Sequence, residues 1–210
     1  MSNILPWNHR PPVIKVYTPP VYEPLSLAEA KAQLRVEQDF SDDDDYIQLA
    51  VGAAREFCEK RKGYCWAEQT LEYWLEEFPS SGTSIELPRS TPLQSINSVT
   101  YFDADGNETE WEASNYRAAT ARTPGLLVPN YGVAYPTYVP QPEDSVRIRY
   151  VAGPPVHSPA VPIPSYCKLA MGQLVNHWYD NRGTQASDFS VPKPLMFSVD
   201  DFLSLDQQIF

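Results

Sequence analysis

Residues 41–77 read SDDDDYIQLAVGAAREFCEKRKGYCWAEQTLEYWLEE, and the hydrophobic period changes partway along them. Tyr46, Leu49, Ala50, Ala53, Ala54 and Phe57 recur at steps of three and four, the spacing of an apolar stripe on a helix. Ser41 and Asp42–Asp45 precede that stripe as a start signal, because carboxylates favour the positive end of the helix dipole. Lys60-Arg61-Lys62 suits the opposite end, and Gly63 stops the helix. Past Trp66 the pattern alternates: Leu71, Tyr73 and Leu75 share one face of a strand, Glu72, Trp74 and Glu76 the other. A helix over 42–62 that leads directly into a strand predicts an α+β chain.

Upstream, Ser26-Leu27-Ala28-Glu29 is a capping box in which serine and glutamate each bond the other's backbone amide. It opens a helix over 26–36, with Leu27, Ala30 and Leu34 on one face. Residues 1–23 hold Pro11-Pro12 and Pro19-Pro20 around Val13–Tyr17, a stiff composition that reads as an extended arm lying on another surface. Downstream, strand patterns cover 84–87, 96–102, 108–111, 116–119 and 145–151. Asp103–Asn107 forms a hairpin turn, since Gly and Asn accept positive φ. The 66–152 block is therefore an antiparallel sheet inserted between helices.

Prolines punctuate the rest: six lie in 1–24, five in 124–142 and five in 154–164, and these stretches read as extended connectors. A third helix spans 165–182, with Cys167, Ala170, Leu174 and Trp178 on one stripe. Ser198-Val199-Asp200-Asp201 reads as the cap of a last short helix bearing Phe202, Leu205 and Ile209. So short a helix is marginal alone, and its apolar side calls for a partner. Deleting 198–210 is accordingly expected to leave the melting behaviour nearly unchanged. The chain thus divides into an N-terminal arm (1–23), a central domain (24–185) made of a small helical bundle with its sheet insertion, and a C-terminal docking segment (186–210).

With 210 residues the chain can build one sizeable core or a core with a subdomain. A net charge of −11 with 16 Lys and Arg disfavours a free-standing nucleic-acid binder, which needs clustered cations. No hydrophobic run approaches the roughly 20 residues of a membrane span, and Met1–Trp7 lacks the pattern of a signal peptide. The three cysteines, Cys58, Cys65 and Cys167, form no CxxC pair, so reduced structural thiols in a reducing cytoplasm are expected.

Catalytic signals are absent from the pattern. The four aspartates lack the glycine and distal glutamate of a calcium loop, and no metal or cofactor is expected. Cys167 and His177 lie ten residues apart on one helix, about 15 Å, too far for a nucleophile and its base. No G-x-S-x-G, phosphate-cradling glycine loop or HExxH occurs. Trp66, Trp74, Trp111 and Trp178 with a carboxylate pair such as Glu76 and Glu110 leave a carbohydrate-binding or hydrolytic protein as the alternative from another class, although aromatics at these periods more often fill a core.

Pro24–Val36, the Asp-rich segment with Ala53–Glu59, Gln69-Thr70-Leu71, Phe78-Pro79, Leu87-Pro88-Arg89, Pro92–Ile96, Val99-Thr100-Tyr101, Arg149–Gly153 and His177–Arg182 together resemble the head–tail connector (adaptor) proteins of long-tailed bacteriophages. The resemblance covers residues 24–185. It implies a non-enzymatic virion protein of the neck: a ring of about twelve copies beneath the portal, with loops that receive the next neck or tail-completion protein. It further implies that the C-terminal segment engages the portal, here through Phe189, Phe197, Phe202, Leu205, Ile209 and Phe210. Genomic DNA would pass such an acidic wall without sticking. A neck stopper or tail-completion protein is the near alternative.

Overall fold

A computed structural model describes residues 13–79, 82–103, 105–139, 143–155, 163–182 and 193–204, with side chains from residue 199 onward in the last segment. The chain forms two units. One contains residues 20–68 and 153–210, the other residues 1–19 and 69–152.

The first unit is helical. α1 (Leu27–Leu34) starts at the expected capping box, where Ser26 Oγ accepts from the Glu29 amide at 3.2 Å and Glu29 accepts from the Ser26 amide at 2.8 Å. It ends on Arg35 in the left-handed region. α2 (Asp44–Lys62) ends on Gly63 at φ +74°, where a side chain would be strained. α3 (Ser165–Asp180) and α4 (Lys193–Ser204) complete the bundle. α3 packs on α1, α2 and α4, around Ile47, Val51, Ala54, Cys58, Met171 and Leu174.

Two expectations change here. The buried stripe of α2 is Ile47, Ala50, Val51, Ala54 and Cys58; Leu49 is 72% exposed and Ala53 also faces out. Two overlapping stripes satisfy the helical spacing, and the one carrying the β-branched Ile47 and Val51 meets α3. The acidic run also does other work than capping. Asp43 sits at the N-cap without a side-chain bond to the helix, and both its oxygens instead accept from Arg182 and Tyr179.

The second unit contains two antiparallel sheets. The larger has the order β1 (Val13–Thr18), β2 (Gln69–Leu75), β8 (Val146–Ala152), β4 (Leu93–Phe102), β5 (Glu108–Glu110). The smaller has the order β3 (Ile85–Glu86), β7 (Leu126–Pro129), β6 (Tyr116–Ala119). β8 pairs on both sides, and its Val146, Ile148 and Tyr150 are fully buried while Arg147 and Arg149 lie on the opposite face. β4 lies against β6, and Leu71, Val99, Leu127 and Ile148 are all fully buried. Phe78 is surrounded by Tyr101, Trp111, Tyr135 and Tyr138, with ring centroids 5.0–6.0 Å away.

Residues 13–18 are therefore not part of an arm on a foreign surface. They pair with β2 from Val13↔Trp74 to Thr18↔Thr70, because the main chain can extend this chain's own sheet even though few of its side chains are buried. β7 was expected to be connector, yet it is the central strand of the smaller sheet; Pro129 occupies its last position, where a missing N–H costs the ladder least. Asp103 forms the expected turn, its Oδ1 accepting from the amides of Asp105 and Asn107 at 3.0 and 2.9 Å, with Gly106 at φ +81°.

Candidate functional site

The expected docking residues separate into three groups. Phe189, Leu205, Ile209 and Phe210 lie outside the described residues, and so does the side chain of Phe197. Phe202 is partly buried against the helical core, and its neighbours Val199 and Leu203 are buried in it. The apolar side of α4 thus has its partner within the same unit, contrary to the expectation that removing 198–210 spares stability. Each of those two side chains contributes about 1.5–3 kcal/mol by leaving water. Polar contacts fix the same helix: Lys62 donates to the Leu203 carbonyl at 2.7 Å, and Arg61 pairs with Asp200. The helix also begins at Lys193 rather than at Ser198, with Pro194 in its first turn where no amide is needed.

The acidic segment and the His177–Arg182 motif come together at one end of the bundle. Arg182 donates to Asp43 at 2.7 and 3.0 Å, Tyr179 donates to it at 2.5 Å, and Tyr46 donates to the Trp178 carbonyl at 2.9 Å. The Arg182 guanidinium stands 4.5 Å from the Tyr179 ring centroid and 5.5 Å from that of Tyr46. These bonds, from Arg182 first and then Tyr179, hold the Asp43 carboxyl below its ordinary range. The constellation fastens α3 to the start of α2 and offers no free base or nucleophile.

A second polar cluster is buried. Glu59 is fully enclosed; it accepts from Arg55 at 3.0 Å and from the Trp66 amide at 2.7 Å, while Arg55 also donates to Glu23 at 2.8 Å. Lys31, likewise buried, donates to the carbonyls of Phe40 and Gln38 and pairs with Asp44 at 2.5 Å. Neither cluster was expected: Lys31 lies between two alanines, but Glu59 opens the charged run Glu59–Lys62 and carries no signal of its own. Both brace loops rather than face a ligand.

The thiols are closed to chemistry. Cys58, Cys65 and Cys167 form no disulfide and are buried, and burial pushes the Cys58 thiol up to about 12. His177 contacts Asn181 in the last turn of its helix, and His9 and His157 lie outside the described residues. Among the described residues no group of three His, Cys, Asp or Glu could hold a metal ion, and no helix is long and apolar enough to cross a membrane.

Among the described residues the indoles form no platform for sugar. Trp66 and Trp111 are buried, and Trp178 packs against the helical core. Trp74 is stacked on Phe102 at 6.2 Å between centroids, with Arg147 5.3 Å and Lys15 5.4 Å from its ring centroid. This array belongs to the outer face of the large sheet, where Arg149 also pairs with Glu72 at 2.6 Å and lies 3.7 Å from the Tyr17 ring centroid. The face ends in two edges of opposite character. β1 exposes Val16 (48%) and Tyr17 (55%) around Lys15, and β5 exposes Glu108, Thr109 and Glu110.

No protein-family model matches the chain, and no curated protein matches it. Solved structures do. A chain in the neck of an empty gene transfer agent (GTA) particle computed with C6 symmetry superposes with a TM-score of 0.69 at 20% identity, over 90% of this chain and 94% of the other. The chain shares its fold. Two further matches, in the native GTA virion (TM-score 0.67, 19% identity) and in the native GTA neck computed with C12 symmetry (0.62, 21%), cover the same shares of both chains. In this chain the neck fold comprises a helical bundle and the sheet unit inserted between α2 and α3.

Proposed function

We propose that the chain is a structural subunit of the neck of a tailed-phage-like particle, specifically a ring-forming head–tail connector that docks beneath the portal after DNA packaging and carries the tail. The observation that supports this reading best is the neck fold, matched across nine-tenths of the chain to particle necks computed with sixfold and twelvefold symmetry. The described interior agrees with a scaffold: its thiols are closed, buried Glu59 and Arg55 are paired, and its indoles are stacked, buried or packed against the core. A net charge of −11 gives a ring wall that repels passing phosphates. Because α4 belongs to its own bundle, portal docking is assigned to the residues that follow it, Leu205, Ile209 and Phe210, with Phe189 and Phe197 as further contacts. Phe202 has only its exposed part to offer.

Electron microscopy of the purified protein with its portal is expected to show ring density under the portal. Failure to associate at any salt or protein concentration overturns the proposal. Crosslinks from residues 205–210 to a stopper or tail component rather than to the portal would move the assignment to a neck stopper or tail-completion protein.

A further inference from the structure

Every neighbouring pair in the five-stranded sheet is antiparallel, so its two edge strands, β1 and β5, point in the same direction. Among the described residues neither outer edge has a strand partner. An open edge is a template for another chain, and sheets commonly blunt one by shortness or charge. β5 is blunted on both counts, with three residues of which two are glutamates. β1 is blunted less: it runs for six residues as Val-Ile-Lys-Val-Tyr-Thr, with one charge at Lys15 and a register shift between Val16 and Thr18, and it exposes Val13, Val16 and Tyr17.

The two edges complement each other. Lys15 has no carboxylate partner and Glu110 no cationic one among the described residues. The register places Val13, Trp74, Arg147, Thr100 and Glu110 in one row across the outer face, and Lys15 lies two residues further along β1. With that row continued from β5 of one copy into β1 of the next, Lys15 lies two residues along from the position beside Glu110, within reach of its long side chain.

We propose that the β1 edge of one copy docks against the β5 edge of a second copy of this chain, with Lys15 facing Glu110. The contact is heterologous, two different surfaces of one chain, which is the type that closes rings. It rests on the ring reading above. Three paired residues are far short of the roughly 1,600 Å² that a stable interface buries, so the edge contact sets the register between copies and other surfaces supply the rest of the affinity.

The test uses the full-length chain with Lys15→Cys and Glu110→Cys together, oxidised under assembly conditions; the native thiols are buried and do not compete. The expected result is a ladder of covalent multimers up to the ring, absent from either single variant. In native mass spectrometry Lys15→Glu should lower the assembled fraction about fivefold, the loss of roughly one ion-pair contact, and Lys15→Glu with Glu110→Lys should restore it. Rings visible by electron microscopy without a ladder overturn this inference and leave the ring reading intact. Products that stop at a dimer overturn it in favour of a two-fold contact. A chain that stays monomeric at all concentrations, alone and with portal, overturns both.

Discussion

Glu59 is the residue on which the end of α2 depends, because it neutralises Arg55 and holds the Trp66 amide inside the fold. Replacing it by alanine leaves a buried guanidinium with Glu23 and the more distant, exposed Glu56 at 3.9 Å, and takes the acceptor from the Trp66 amide. Glu59→Ala is therefore expected to cost about 3–5 kcal/mol in urea denaturation. Asp43 supports a pH prediction. Its carboxyl titrates below the ordinary 3.8, so the bonds from Arg182 and Tyr179 stabilise the fold above that value and are lost as pH falls through the lower folded-state pKa. Asp43→Asn should flatten the acid limb of stability against pH, measured as denaturation midpoints from neutral pH down to about 2. At this scale the sequence was partly legible. The capping box and Gly63 announced themselves, because each acts on its immediate neighbours. Glu59 and Lys31 gave no such sign, since what makes them structural is a loop folding back over them.

Among the elements, α2 shows where periodicity stops short. Its existence, length and end were readable; the direction of its stripe was readable only in part, because the expected set Tyr46, Leu49, Ala50, Ala53, Ala54 and Phe57 and the buried set Ile47, Ala50, Val51, Ala54 and Cys58 overlap and both satisfy the helical step. Ile47→Ala should cost about 2–4 kcal/mol, while Leu49→Ala should stay within about 0.5 kcal/mol, by thermal or chemical denaturation. α4 teaches the complementary lesson. Its apolar side was legible, but not that the partner is the chain's own bundle. Leu203→Ala is expected to cost about 2–4 kcal/mol, whereas deleting residues 205–210 should leave the melting temperature within a few degrees of wild type and remove portal binding. β1 and β7 were hidden by flanking prolines, which marked the strand ends correctly but implied that everything between was connector.

For the whole molecule, the order of helices, sheet and helices followed from the change of period after Trp66 and its return near Ser165. The surfaces a neck subunit would use to assemble were the least legible part. They depend on which strands end up at the sheet's margins, and that follows from the pairing of β2, β8 and β4 across as many as 83 residues of chain. Gly153, at φ +96°, leaves the sheet with its α-carbon so close to Ala67 that a Cβ would sit 2.2 Å from the Ala67 oxygen. Entry and exit of an 84-residue excursion, 69–152, therefore lie side by side at a single gate. A segment spliced in at such a gate can be enlarged, exchanged for an unrelated module or excised, and the helices on either side need not notice.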